Sequence, residues 1–423
     1  MAYTFIDGGV TAAEGFTANG ILNKIKASRT TNDTALIFSE KVCNAAGVFT
    51  QNRVKAECVK LTKDHIANGK AQAVIANSGN ANACTGSEGY DNANKEAVAV
   101  AAKMNINSDD VLVLSTGVIG QQLPVEKILN GLDKLADGLS KEGHKEARIA
   151  IMTTDTHYKE VALETTIDGK TVRMGTMAKG SGMIHINLGT MLGFITTDCA
   201  ISSQMLEKAL RISAAGTYNC VSIDGDTSTN DSLLILANGL AGNAEITSEG
   251  ADFDAFVAAL NALNTQMAKK IAADGEGASR LVTCTVTGAD TVENARGLAK
   301  AVICSNLVKA AFFGADANWG RILDAMGYSG YFFTPEKTSV SFLSRAGAKR
   351  YFEDGETNGG EESKIKVFDH GVPLNFDEDL AKKILTEEAV DILVELEDGN
   401  ASGTAWGCDL TYDYVKINGD YRT

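Results

Sequence analysis

Apolar positions along this 423-residue chain follow two rhythms. Short runs rich in Val, Ile and Leu, at residues 34–39, 73–77, 111–115, 232–237 and 391–396, read as strands. Between them, Phe253, Phe256, Leu260, Leu263 and Met267 recur every three or four residues, which puts them on one helix face. Ala97, Val100, Ala101 and Met104 mark a second such face. Strand runs that alternate with helical stretches predict a mixed α/β protein whose helices cover sheets. The pattern does not give the strand order.

Glycine interrupts this pattern far more often than proline does, with 42 residues against 3. Several glycines fall at junctions that also carry hydroxyls and acids: Gly117 and Gly120, Gly180 and Gly182, Gly225, Gly275 and Gly277. Glycine permits positive φ and close backbone approach, so these junctions are either tight turns or places where the main chain meets a ligand.

Composition narrows the class. Apolar residues make up 44% and charged residues 22%, and a formal charge of −15 is spread along the chain. Without a basic stripe, neither nucleic acid nor an anionic membrane is an expected partner. The start has no basic and apolar leader pattern, and no apolar stretch reaches the roughly 20 residues of a bilayer span, so a cytoplasmic protein is expected. Eight scattered cysteines without metal-ligand spacing read as buried free thiols.

The most informative stretch is Lys179-Gly-Ser-Gly-Met-Ile-His-Ile-Asn-Leu-Gly-Thr190-Met-Leu-Gly. It fails as a phosphate loop, because the lysine precedes the glycines instead of following them. Thr190 fits a different chemistry. A break before it would free an α-amino group of pKa about 7.7–8.0, a base placed beside the threonine's own hydroxyl. Small Gly189 would ease attack of that hydroxyl on the preceding carbonyl. Taken alone, the segment reads more readily as a threonine in a β-strand.

The surrounding motifs decide between these readings. In order, the chain carries Ser78-Gly-Asn-Ala-Asn-Ala-Cys-Thr-Gly86, Ser115-Thr-Gly-Val-Ile-Gly120, the Lys179 to Thr190 stretch, Asp224-Gly-Asp-Thr-Ser-Thr-Asn-Asp231, Asp274-Gly-Glu-Gly-Ala278, Asn318-Trp-Gly-Arg-Ile322 and Tyr414-Val-Lys-Ile-Asn-Gly-Asp-Tyr-Arg-Thr423. Together they resemble the ornithine acetyltransferase family, the bifunctional glutamate N-acetyltransferases and amino-acid acetyltransferases of arginine biosynthesis.

The resemblance implies a layered α/β sandwich of β-sheets flanked by helices, and a self-processing enzyme with an N-terminal threonine nucleophile. Scission between Gly189 and Thr190 would give chains 1–189 and 190–423, a covalent boundary and not a domain boundary. Thr190 would carry the acetyl group. Thr116 and Gly117 would stabilise the oxyanion, a contribution of roughly 2.7–4 kcal/mol per donor. Thr153, Lys179, Thr190, Glu276, Asn418 and Thr423 would bind substrate, with charge suiting Lys179 to a carboxylate and Glu276 to an ammonium group. Asp226, Asp231, Asn318 and Arg321 would organise the scaffold.

The implied cycle takes acetyl from N-acetylornithine and gives it to glutamate, without metal or organic cofactor. Some family members also accept acetyl-CoA. Two α and two β chains are expected to assemble. The chain departs from the family at Ile186, where proline is common, at Gly189, where alanine is, and at Ala317, where proline is; His185 is unusual beside the scission point. Two other readings stay open at this level: a related N-terminal-nucleophile aminopeptidase that passes the acyl group to water, and a metabolite-binding protein that never processes.

Overall fold

The computed structural model describes residues 3–185, 191–353 and 362–420. The chain forms two compact units, Met1–Asn219 with Asp226–Met267, and Cys220–Gly225 with Ala268–Thr423.

The first unit is built on a nine-stranded sheet. Its strands are β1 (Tyr3–Ile6), β2 (Phe16–Ile21), β3 (Thr34–Phe49), β4 (Lys70–Asn80), β5 (Val111–Val118), β6 (Lys159–Ile167), β7 (Lys170–Lys179), β9 (Leu192–Thr197) and β11 (Ser232–Ala237). Two short strands, β8 (Ile184–His185) and β10 (Ser222–Thr227), stand outside that sheet. The order is β1-β6-β7-β9-β11-β3-β4-β5, with β2 also paired to the long β3. Two pairs are parallel, β4 with β5 and β9 with β11; the others are antiparallel.

Helices α1 (Glu57–His65), α2 (Gly86–Met104), α3 (Val125–Asp137), α4 (His144–Ala150) and α5 (Ser203–Gly216) belong to this unit, and α6 (Ala251–Ala273) continues the chain out of it. Alternation along β4 and β5 explains the layering. Ala73, Ile75, Val111 and Val113 pack with Val59 and Leu61 of α1, Ala97 and Val100 of α2, and Ile128 and Leu132 of α3. Their neighbours Val74, Ala76, Leu112 and Leu114 point to the opposite face, where Ala147 and Ala150 of α4 meet Phe16 and Phe194. Both faces of these strands are therefore covered, and each fully buried aliphatic side chain contributes about 1.5–3 kcal/mol.

The second unit carries a six-stranded sheet of β12 (Leu281–Ala289), β13 (Ser339–Ser344), β14 (Lys364–Asp369), β15 (Val372–Pro373), β16 (Ala389–Glu395) and β17 (Ala401–Cys408), in the order β15-β14-β13-β16-β12-β17. Its helices are α7 (Val292–Cys304), α8 (Asn306–Phe313), α9 (Trp319–Gly327), α10 (Arg345–Phe352), α11 (Glu378–Leu385) and α12 (Tyr412–Gly419). Helices α7 to α11 open on side-chain caps from Thr291, Ser305, Asn318, Ser344 and Asp377, each accepting from a backbone N–H of the first turn.

The strand runs expected at 34–39 and 111–115 open the longer β3 and β5, and that at 73–77 lies inside β4. The run at 232–237 coincides with β11, and that at 391–396 lies on β16 with its last residue beyond the strand. The five apolar residues picked out on α6 are all buried. Six of the eight cysteines are buried free thiols; Cys304 is half-buried and Cys84 is exposed. Among the described residues, no helix is long and apolar enough to cross a membrane.

Candidate active site

The adjacent carboxyl ends of β4 and β5 define one wall of the site. The strands pair in parallel, Ser78 opposite Thr116 and Gly79 opposite Gly117, before a register shift at Asn80. Gly117 adopts φ 135°. A Cβ there would lie 2.4 Å from the Gly79 carbonyl carbon, so only glycine allows the strand ends to run this close. Past the strands, the Asn80 side chain accepts from the Asn82 N–H at 2.7 Å and donates to the Gln121 and Gln122 carbonyls at 3.1 and 3.2 Å. The two loops are thereby locked to each other. In open α/β sheets, ligands bind at such strand ends.

A second wall comes from the end of β7. Lys179 is buried, and its Nζ donates to Thr116 Oγ1 at 3.4 Å. A hydroxyl that accepts from an ammonium group keeps its own hydrogen for another acceptor. Beside the lysine, the Asp155 carboxylate has no exposed side-chain surface and organises the loop between α4 and β6. It accepts from Lys159 Nζ at 2.6 Å, from the Gly180 N–H at 2.7 Å and from the Thr153 N–H at 3.0 Å. Burial alone would push the Asp155 carboxyl up, yet the charges of Lys159 and Lys179 and the bonds from Lys159 and Gly180 prevail and hold it at about 2. Arg29 anchors the same loop through the Met152 carbonyl at 2.7 Å.

Between these walls lies a small cleft that opens to solvent. Thr116 and Lys179 line it, together with Met183 and Ile184 on one side of the scission point and Met191 on the other. Asn230 and Asp231, from the loop before β11, complete it. Gly189 and Thr190, like Ile186, lie outside the described residues, as does Thr423. Thr153 does not line this cleft but is tied to its wall through Asp155. His185 sits on β8, where its carbonyl accepts from Thr227 Oγ1 at 3.2 Å.

The second unit brings two further expected residues together. Asn418 Nδ2, on α12, donates to Glu276 Oε2 at 2.7 Å, and the Glu276 side chain is buried. Gly277, with φ 68°, lets the turn after Glu276 pass so close to α12 that a Cβ would lie 2.7 Å from the Tyr414 nitrogen. Thr411 Oγ1 closes the contact by donating to the Gly277 carbonyl at 2.6 Å. Of the scaffold residues, Asn318 caps α9 and Arg321 reaches the Leu307 carbonyl of α8 at 2.7 Å. The Asp231 side chain is buried, whereas Asp226 is exposed.

Asp155 and Lys159 were not among the residues expected at the site. Their signal in the sequence is slight, two opposite charges four apart next to Thr153. Asn230 was read only as part of a motif.

The family model described as the ArgJ family matches residues 17–423. The arginine biosynthesis bifunctional protein ArgJ of Caldanaerobacter subterraneus subsp. tengcongensis is 47% identical over 418 residues, covering 99% of each chain. ArgJ 1 of Clostridium acetobutylicum is 47% identical over 414 residues, covering 98% of this chain and 97% of its own. Among solved structures, the argJ bifunctional protein of Bacillus halodurans is 41% identical, with a TM-score of 0.47, over 53% of this chain and 97% of that chain.

Proposed function

The chain belongs to the ArgJ family, and on that premise we propose that it is an acetyltransferase of arginine biosynthesis that works by double displacement on a self-generated N-terminal threonine, Thr190. The observation that carries this reading is the shared cleft, lined by Thr116 and Lys179 and by residues from both sides of the Gly189–Thr190 bond.

In the processing step, Thr190 Oγ attacks the Gly189 carbonyl carbon and the peptide C–N bond gives way to an ester. Water then hydrolyses that ester, leaving a carboxylate on Gly189 and a free α-amine on Thr190. At pH 7 roughly a tenth to a sixth of this amine is unprotonated, given a reference pKa of about 7.7–8.0, and that fraction serves as the base. It takes the hydroxyl proton as Oγ adds to the acetyl carbonyl of N-acetylornithine. The negative oxygen that develops meets the Thr116 hydroxyl and the Gly117 backbone, donors that need no rearrangement when charge appears. Collapse breaks the C–N bond, the proton goes to the departing amine, and ornithine leaves acetyl-Thr190 behind. Glutamate's amine then attacks that ester, the Thr190 α-amine accepts its proton, and N-acetylglutamate departs with Thr190 Oγ restored.

Lys179 is suited to the α-carboxylate of either amino acid, and Glu276 with Asn418 to the side-chain ammonium of ornithine. Thr153, whose N–H bonds the Asp155 carboxylate beside Lys179, and Thr423 would complete the substrate site. Acetyl-CoA as a second donor, assembly of two α and two β chains, and a cytoplasmic location belong to the same proposal.

Intact-mass measurement combined with product assay tests it. Wild-type protein should give two chains meeting at Gly189–Thr190 and should form N-acetylglutamate from N-acetylornithine plus glutamate. Thr190→Ala should remain a single inactive chain. Acetate release that does not require glutamate would indicate a hydrolase. A wild-type chain that stays intact on long incubation would refute the mechanism.

A further inference from the structure

We infer that Asn230 is a positioning residue that sets the oxyanion element of β5 against the strand that follows the nucleophile. The inference rests on the oxyanion reading of Thr116 and Gly117 given above.

Asn230 is 4% exposed and lies in the loop before β11. Its Nδ2 donates to two backbone carbonyls, Ala81 O at 2.5 Å and Ser115 O at 2.8 Å. Two carbonyls can only accept, so these bonds fix which end of the carboxamide carries the nitrogen. The other end, Oδ1, accepts from Thr229 Oγ1 at 2.6 Å. The carboxamide is thus held at both ends and has one orientation.

The Ser115 carbonyl shares its planar peptide group with the Thr116 N–H. Holding the oxygen fixes the plane from which Thr116 and then Gly117 project. The Ala81 carbonyl belongs to the neighbouring loop, which rests on the same strand ends through the bond from the Ala81 N–H to Val118 O at 3.0 Å. One side chain therefore ties together the two segments that form the Thr116 wall.

The same loop reaches the other side of the cleft. Two residues beyond Asn230, the Ser232 N–H donates to Met191 O at 2.9 Å, on the residue that directly follows Thr190. The loop itself is fixed from outside. The Thr50 N–H donates to Asp231 O at 2.9 Å, Thr50 Oγ1 to Ser228 O at 2.7 Å, and the Ala56 N–H to Thr229 O at 3.0 Å. Asn230 is thus where a rigid loop, joined by backbone to the Met191 strand, grips the peptide before the oxyanion pair. Misplacing reacting groups by about 1 Å is enough to cost about 100-fold in rate.

A double-variant cycle on the full protein tests this, with rates expressed per processed chain counted by intact mass. Asn230→Ala should lower kcat about 10- to 100-fold with KM held within about 3-fold. Thr116→Val should lower kcat by about 100-fold or more. If Asn230 acts through Thr116, the double variant should be no more than about 3-fold slower than Thr116→Val alone. Thr229→Val loosens the carboxamide without stripping the two carbonyls of their donor. It should lower kcat several-fold with an unchanged melting temperature, and it supplies the test should Asn230→Ala fold poorly. Losses that multiply in the double variant, a change confined to KM, or Thr229→Val and Asn230→Ala both within twofold of wild type in kcat would overturn the inference. Unchanged kcat in Thr116→Val would instead strike at the oxyanion reading, and the inference would fall with it.

Discussion

Replacing Glu96 by Met should stabilise the protein, and by an amount that grows with pH. Glu96 lies on α2 with no exposed surface, and neither carboxyl oxygen has a hydrogen-bond partner among the described residues. It sits among Ala93, Ala97 and Val100 of the same helix and close to the buried Cys58 of α1. With no cation or donor among the described residues to offset the loss of water, burial pushes its carboxyl from 4.5 up to about 8. In the unfolded chain the group ionises above 4.5, while in the folded protein it stays protonated until about 8. Folding therefore becomes less favourable as pH rises through that window, by about 1.4 kcal/mol per unit. The penalty is below about 1 kcal/mol at pH 5, roughly 3 at pH 7, and levels off between about 4 and 5 above pH 8. Met has similar length and no charge to desolvate, so the variant escapes the whole penalty. Urea unfolding of Thr190→Ala protein with and without Glu96→Met, at one protein concentration and at pH 5, 6.5 and 8, reads the difference directly. Every other titration cancels in that subtraction. A stability difference that does not widen between pH 5 and 8 would refute the reasoning, because it would mean that Glu96 ionises in the folded state as it does in water.

Asp155 should show the opposite sign. Its carboxyl is held at about 2 against an ordinary 3.8, so Asp155→Asn should cost about 2 kcal/mol at pH 7. That cost should shrink as pH falls through 4 toward 2, and a pH-independent loss in the same urea assay would count against it. Gly117→Ala adds a Cβ 2.4 Å from the Gly79 carbonyl carbon at φ 135°. The β4 and β5 ends must part to admit it, and kcat should fall at least about 100-fold, as for loss of an oxyanion donor; a variant with wild-type kcat would show that the strand ends need not touch.

The two carboxylates have opposite signs because of their partners and not because of their depth. Both are buried, but Asp155 faces two lysines and two backbone N–H groups, whereas burial acts unopposed on Glu96, whose carboxyl oxygens find no hydrogen-bond partner among the described residues. Placed under the wall that carries Thr116, a residue that costs stability at neutral pH has no structural benefit visible in this fold.

What could be read from the sequence was whatever the chain expresses locally. The run at 232–237 is apolar from Leu233 to Ala237 because β11 is buried on both faces, so composition alone announces it. The β6–β7 hairpin was passed over, although its Asp168-Gly169 turn, with φ 49° and 69°, carries the two-residue signal for a tight turn. Lys159, Glu160, Glu164 and Arg173 make those strands too polar to stand out. The same divide runs through the site. Lys179, Thr116 and Gly117 stand out in the sequence only through the motifs that carry the family resemblance. Asp155 and Lys159, read locally, look like an exposed pair on a helix turn, yet the segment is a loop and the pair is buried. Their meaning comes from Gly180, 25 residues away, whose N–H completes the carboxylate's shell. Asn230 is farther removed still, 149 residues from Ala81 and 115 from Ser115. No spacing rule reaches that far. A group that acts by holding distant backbone carbonyls leaves no periodic trace in a sequence, and it becomes visible only when the strand order brings those carbonyls to one amide.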